Sequence, residues 1–199
     1  KPAIEFAKLL LNQSKTMKLD FRNTGKIPAM WRVKNVAILG ECFTYEVTEG
    51  LLNPGRPGSF VLKFQTNRPI QFKKTLAIDV LDKDGQRVFG TQNVAIQAEA
   101  FDVNFDMQYP KGMDHLLFGS MKVSQPRTLS LTLKNKGKYP MQFKFGVVQS
   151  LKTLFQITPI EGTLNPPDKP LIVSITFMSN KIVKFDNEKG ILLKITDSI

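Results

Sequence analysis

An internal repeat at an offset of 112 residues constrains this chain more than any other feature. Phe6 falls on Phe118, Met17 on Leu129, Leu19 on Leu131, Phe21 on Leu133, and Asn23-Thr24-Gly25-Lys26 on Asn135-Lys136-Gly137-Lys138. The match continues through Pro28 and Pro140, Trp31 and Phe143, and Val33 and Phe145. Gly50-Leu51-Leu52-Asn53-Pro54 then meets Gly162-Thr163-Leu164-Asn165-Pro166 in the same register. Chance rarely aligns two separate blocks in this way, so the 199 residues read as two copies of one domain, 1–102 and 103–199. Short insertions then bring Phe64 to Phe177, Phe72 to Phe185, and Val80-Leu81-Asp82 to Ile195-Thr196-Asp197.

Each copy is written in period two, the spacing of a half-buried strand. Thr16 to Arg22 sends Met17, Leu19 and Phe21 to one face and Lys18, Asp20 and Arg22 to the other. Phe43, Tyr45 and Val47, then Phe60, Leu62 and Phe64, then Leu76, Ile78 and Val80 repeat the alternation between Gly, Pro and Asn punctuation. Helical spacing is confined to a turn at most, within Ser150–Phe155. The expected fold is all-β, two tandem immunoglobulin-like antiparallel sandwiches. Their cores include Phe6, Leu19, Phe21, Trp31 and Phe64 in the first, and Phe118, Leu131, Leu133, Phe143 and Phe177 in the second. In copy one, Asp82-Lys83-Asp84-Gly85 reads as a hairpin turn into a last strand through Val94, Ile96, Ala98 and Phe101. The counterpart of that strand would start near position 209, so copy two is expected to lack it, as a piece of a longer array would. The joint from Phe101 to His115 has no flexible composition, and Gly112 is its expected bend.

The residue inventory leaves little for catalysis. A single His115 beside Asp114 has no Cys, Ser or second His nearby with which to form a triad or metal site. Cys42 alone forms no internal disulfide and reads as a near-core thiol, which points to a reducing compartment and makes the Asn12-Gln13-Ser14 sequon idle. Asp82-Lys83-Asp84-Gly85 lacks the distant Glu of a calcium loop, and Gly55-Arg56-Pro57-Gly58 is too rich in proline to cradle phosphate. No small-molecule substrate and no cofactor are expected. No apolar run is long enough to span a membrane, and the first residues form no signal peptide.

The formal charge of +11 favours acidic partners and divides evenly, with 15 basic and 10 acidic residues in 1–102 and 13 and 7 in 103–199. Three basic positions recur in both copies: Arg22 and Lys134, Lys26 and Lys138, and Arg32 and Lys144. Their strand neighbours are apolar, so these cations should point outward and are the candidate contacts to an acidic partner. Aromatics are not interleaved with cations along one strand face, which speaks against nucleic acid. The Asn-x-Gly-Lys-x-Pro unit reads as a turn in which Asn and Gly supply left-handed backbone. Gly-x-Leu-Asn-Pro reads as a bend into the next strand.

Taken together, Ile4-Glu5-Phe6-Ala7 and Leu116-Leu117-Phe118-Gly119 at the start of each copy, the Asn-x-Gly-Lys-x-Pro turn, the aromatic strand after it and Gly-x-Leu-Asn-Pro resemble the ASH domain. This is the PapD-like, major-sperm-protein-like module of ciliary and centrosomal proteins, and Ala7 stands where the family usually has Gly. The resemblance covers nearly the whole chain. It implies a non-enzymatic scaffold in the cytoskeleton of the cilium axoneme, whose partners are other central-apparatus proteins and the microtubule surface. The alternative it implies is an adaptor that binds short acidic or phosphorylated peptides.

Overall fold

Alternating side chains become paired strands throughout the computed structural model, which describes residues 2–186 and 189–198. The chain separates into two units, Lys1–Asp102 and Val103–Ile199. Unit 1 contains β1 (Ala3–Leu10), β2 (Ser14–Arg22), β3 (Ala29–Val33), β4 (Phe43–Tyr45), β5 (Glu49–Leu52), β6 (Pro57–Gln65), β7 (Ile70–Leu81) and β8 (Val88–Phe101). One layer runs β1-β8-β7-β3-β5 and the other β2-β6-β4. All pairings are antiparallel except that of β1 with β8. Between the layers, Phe6, Phe60, Leu62, Phe64, Leu76 and Ile96 are fully enclosed. Phe43 sits between Phe6 and Phe64 with ring centroids 5.6 and 4.9 Å away, so the centre of this core is aromatic.

Unit 2 contains β9 (Phe105–Gln108), β10 (Arg127–Asn135), β11 (Met141–Val147), β12 (Phe155–Thr158), β13 (Glu161–Leu164), β14 (Leu171–Phe177) and β15 (Ile191–Asp197). Its layers run β12-β14-β10-β9 and β13-β11-β15. Leu131, Leu133, Phe143, Phe145, Val173 and Ile175 form the core.

Trp31 and Phe143 are buried, as their alternation predicts. Leu19, Phe21 and Phe118, expected inside, are only half-buried against their cores. The helical turn foreseen near Ser150 is the 3₁₀ turn Gln149–Leu151. A second one, Val36–Cys42, was not foreseen; it buries Leu39 and bends at Gly40, whose φ is +63°.

The repeat diverges where pairing partners differ. Among the described residues, β1 forms a ladder only with β8, and the first half of β7, Ile70–Thr75, likewise pairs only with β8. In unit 2, β15 pairs with β11 on one side and with no strand among the described residues on the other. The counterpart of β1, around Leu116–Met121, accordingly forms no strand, and β15 matches only the second half of β7. A strand segment whose backbone groups have no ladder partner stays irregular.

Candidate functional site

The recurrent turn is built by a side chain. Asn23 Nδ2 donates to Ile27 O (2.9 Å) and Leu52 O (2.8 Å), while its Oδ1 accepts from Gly25 N (2.9 Å). Asn135 repeats all three bonds 112 residues later, to Tyr139 O (2.9 Å), Leu164 O (2.8 Å) and Gly137 N (2.8 Å). None of Asn23, Gly25, Asn135 and Gly137 has a positive φ, so the expectation of left-handed backbone was mistaken. Asparagine is there to pin the turn to the Leu of Gly-x-Leu-Asn-Pro. That second motif is itself more than a bend, because its first residues form edge strands β5 and β13.

The six expected contact cations hang on this frame in different ways. Arg22 ends β2 and donates through Nε to Gly55 O at 2.7 Å. Arg32 on β3 meets Glu49 at 2.7 Å, and Lys144 on β11 meets Glu161 at 2.7 Å, a pairing that also repeats at 112 residues. Lys138 stacks over the Tyr139 ring, 5.2 Å from its centroid. Lys26 lies exposed in the turn, and Lys134 is exposed on β10 opposite Asp106, whose carboxyl pKa is lowered chiefly by its hydrogen bond with Lys136 and to a lesser degree by Lys134. Within each unit β2 and β3, or β10 and β11, belong to different layers, so their outward side chains leave the sandwich in opposite directions. The fold therefore spreads each unit's three cations over two faces and a turn.

Two hollows went unnoticed in the sequence. On the outer face of unit 2, Lys144 and Lys194 stand directly opposite across β11 and β15, in a shallow depression of about 430 Å³ lined also by Gln142, Thr163 and Thr196. Like charges facing each other are unfavourable unless a counter-ion relieves them, and Glu161 does so from one side. In unit 1 the residue opposite Arg32 is the buried Asp79, which accepts from the Thr91 hydroxyl, so that face is not cationic. The other hollow is an apolar groove of about 370 Å³ between the layers of unit 1, floored by Leu19, Phe21, Trp31, Ile78, Val80 and Val94. Period-two patterning marks all six as inward, but not that Leu19, Phe21 and Val80 are left partly uncovered.

His115 and Asp114 contact each other on the surface, where the imidazole is the main cause of the lowered carboxyl pKa. Among the described residues no three His, Cys, Asp or Glu side chains converge as a metal site, and no helix is long and apolar enough to cross a membrane.

Comparison with known proteins fits this geometry. Residues 1–95 match the family described as HYDIN/CFA65/VesB-like, Ig-like domain. Hydrocephalus-inducing protein of Mus musculus is 35% identical over 191 residues, which is 92% of this chain and 4% of that protein. The Homo sapiens homologue is 30% identical over 202 aligned residues, covering 98% of the chain and 4% of the homologue. The chain thus spans about 4% of the length of these relatives. Among solved structures, the ASH / PapD-like domain of human CEP192 (PapD-like domain 7) is 14% identical with a TM-score of 0.43, over 51% of this chain and 82% of that one. Residues 1–95 are thus similar to the HYDIN/CFA65/VesB-like Ig-like domains, and nearly the whole chain is similar to a short stretch of hydrocephalus-inducing protein.

Proposed function

We propose that this chain is a non-catalytic scaffold segment of a long ciliary protein, serving assembly of the axonemal central-pair apparatus and ciliary motility through protein–protein contacts. The observation that carries the reading is the alignment of nearly the whole chain with a short stretch of hydrocephalus-inducing protein. Within such an array, each unit is a rigid spacer whose strands and pinned turns hold surface groups in fixed positions. Arg22, Lys26, Arg32, Lys134, Lys138 and Lys144 are the proposed contacts to acidic neighbours, including the tubulin surface. Spread over two faces and a turn per unit, they suit several weak contacts better than one tight pocket. An antibody raised against this segment should label the central pair in sections of motile cilia; labelling confined to the cell body would overturn the reading.

The facing pair Lys144 and Lys194 favours a second reading, an adaptor for short acidic or phosphorylated peptides. A peptide array separates the two. Saturable binding of one acidic motif, lost in Lys194→Glu, supports the adaptor, and its absence supports the scaffold.

A further inference from the structure

In unit 2, β9 lies along the edge of β10, opposite Thr132, Leu133, Lys134 and Asn135. Its Phe105 and Met107, with Val103 and Tyr109 at either end, pack on the core. The 112-residue register makes Asp20, Phe21, Arg22 and Asn23 the counterparts of the four covered residues, and all four line the groove of unit 1. Beside them β2 has β6 on one side and no strand among the described residues on the other. Burial records the difference directly. Leu131, Leu133 and Asn135 are buried, whereas Leu19, Phe21 and Asn23 at the same positions are half-buried.

We propose that the groove of unit 1 accepts an extended segment of the β9 type, supplied by the polypeptide that precedes unit 1 in the longer protein. An unpaired strand edge above an apolar trough is a template for adding a strand: backbone bonds supply affinity and alternate side chains fill the trough. Pro2 lines the groove, so the chain enters unit 1 at its mouth. β9 lies six to nine residues ahead of Asp114, the counterpart of Pro2, and the same spacing sets the donor just upstream of unit 1. The chemistry of the donor follows from β9 as well. Its inward positions are apolar, and an outward acid matches the cationic rim, since Asp106 faces Lys134 and pairs with Lys136 at 3.2 Å, and Arg22 is the counterpart of Lys134. β8 ends at Phe101 and β9 begins at Phe105, so the last strand of unit 1 leads within four residues to the strand that closes unit 2. Each unit of an array built this way is completed by the connector arriving from the one before it, which couples its stability to its neighbour.

Trp31, the only tryptophan, lines the groove and reports its occupancy. The 1–199 chain should be compared with the same chain extended by fifteen native residues at its N-terminus. In the extended chain, Trp31 emission should shift to the blue, acrylamide quenching should fall, and the amides of residues 20–22 that face away from β6 should exchange at least about tenfold more slowly. Amides of residues 132–134 in unit 2 should exchange alike in both. Val80→Lys, which puts a charge on the groove floor, should abolish the added protection in the extended chain while leaving the rest of the exchange pattern intact. Unchanged exchange and quenching on extension, or protection that survives Val80→Lys, would overturn the proposal. So would a synthetic peptide copying residues 103–109 that protects the edge in trans where the native extension does not, because that would assign the groove to a strand from another chain.

Discussion

Gly50 lies so close against the indole of Trp31 that a β-carbon on it would stand 2.9 Å from Nε1. Gly162 stands in the same relation to Phe143, with 2.9 Å to Cε1. In each unit an edge strand gives up a side chain so that the large aromatic of the neighbouring strand can lie flat in the core. Both rings are buried and contact other rings, with Trp31 at 4.9 Å from Phe21 and Phe143 at 6.1 Å from Phe145, so neither can yield cheaply. Gly50→Ala and Gly162→Ala should each destabilise their own unit by about 1–3 kcal/mol, the usual range for overpacking. Urea unfolding, followed by Trp31 fluorescence for unit 1 and by residue-resolved NMR for unit 2, measures it. Two fully native-like midpoints would mean that the rings are free to move.

The paired asparagines make a graded test. Removing either side chain strips two carbonyls and one amide of their partners, at roughly 1–3 kcal/mol for each group left buried and unsatisfied. Asn135 is buried, and Asn23 is half-open to water that can replace the lost bonds. Asn135→Ala should therefore cost more than Asn23→Ala, and Asn→Asp at either site should restore only the bond that the side-chain oxygen accepts. Equal losses at the two sites would contradict the burial difference.

What the sequence disclosed, and what it withheld, follows from which interactions are local. Period two and the repeat marked the strands, the cores around Trp31 and Phe143, and the turns, because side-chain alternation is fixed by the backbone itself. Partner choice left no such mark. Phe118 carries the same apolar signature as Phe6, yet it sits outside any strand because the ladder that orders β1 is supplied by β8, about 90 residues downstream of it in the chain. The six cations were legible as outward residues. The neutralisation of Arg32 by Glu49 and of Lys144 by Glu161 was not, since it depends on β3 pairing with β5 and β11 with β13. The groove escaped for the same reason: whether Leu19 and Phe21 are covered is decided by a strand outside their own pattern.

The hairpin between β7 and β8 should make part of the stability of unit 1 depend on acid. Asp82 accepts from the amides of Gln86 (2.7 Å) and Arg87 (3.2 Å), and these backbone donors hold its carboxyl below the ordinary value of 3.8. A folded pKa below the unfolded one contributes stability that is complete above the unfolded value and is lost as pH falls through the folded pKa. Wild type should therefore exceed Asp82→Ala in urea midpoint at pH 6, and the gap should close as pH falls below 3.8 toward 2. A gap that stays constant over that range would show that the carboxylate's charge is not what holds the turn.

The charged surface offers the most direct test of the scaffold reading. Arg32 and Lys144 are engaged by Glu49 and Glu161, so reversing them would confound lost ion pairs with lost partner contacts. Arg22, Lys26, Lys134 and Lys138 are the better choice, all four being exposed, with Arg22 also donating to Gly55 O. Exposed charge contacts contribute about 0.2–1 kcal/mol each and are screened over roughly 8 Å at physiological salt, so only many units acting together bind measurably. Replacing these four by Glu changes the formal charge from +11 to +3 and should leave the unfolding free energy within about 1 kcal/mol of wild type. Co-sedimentation with microtubules, tested on an array of several such units at low salt, should fall sharply in the variant and should decline with added salt in the wild type. A folded quadruple variant that binds as well as wild type would remove these cations from the interface and leave the net charge as a solubility feature of the surface.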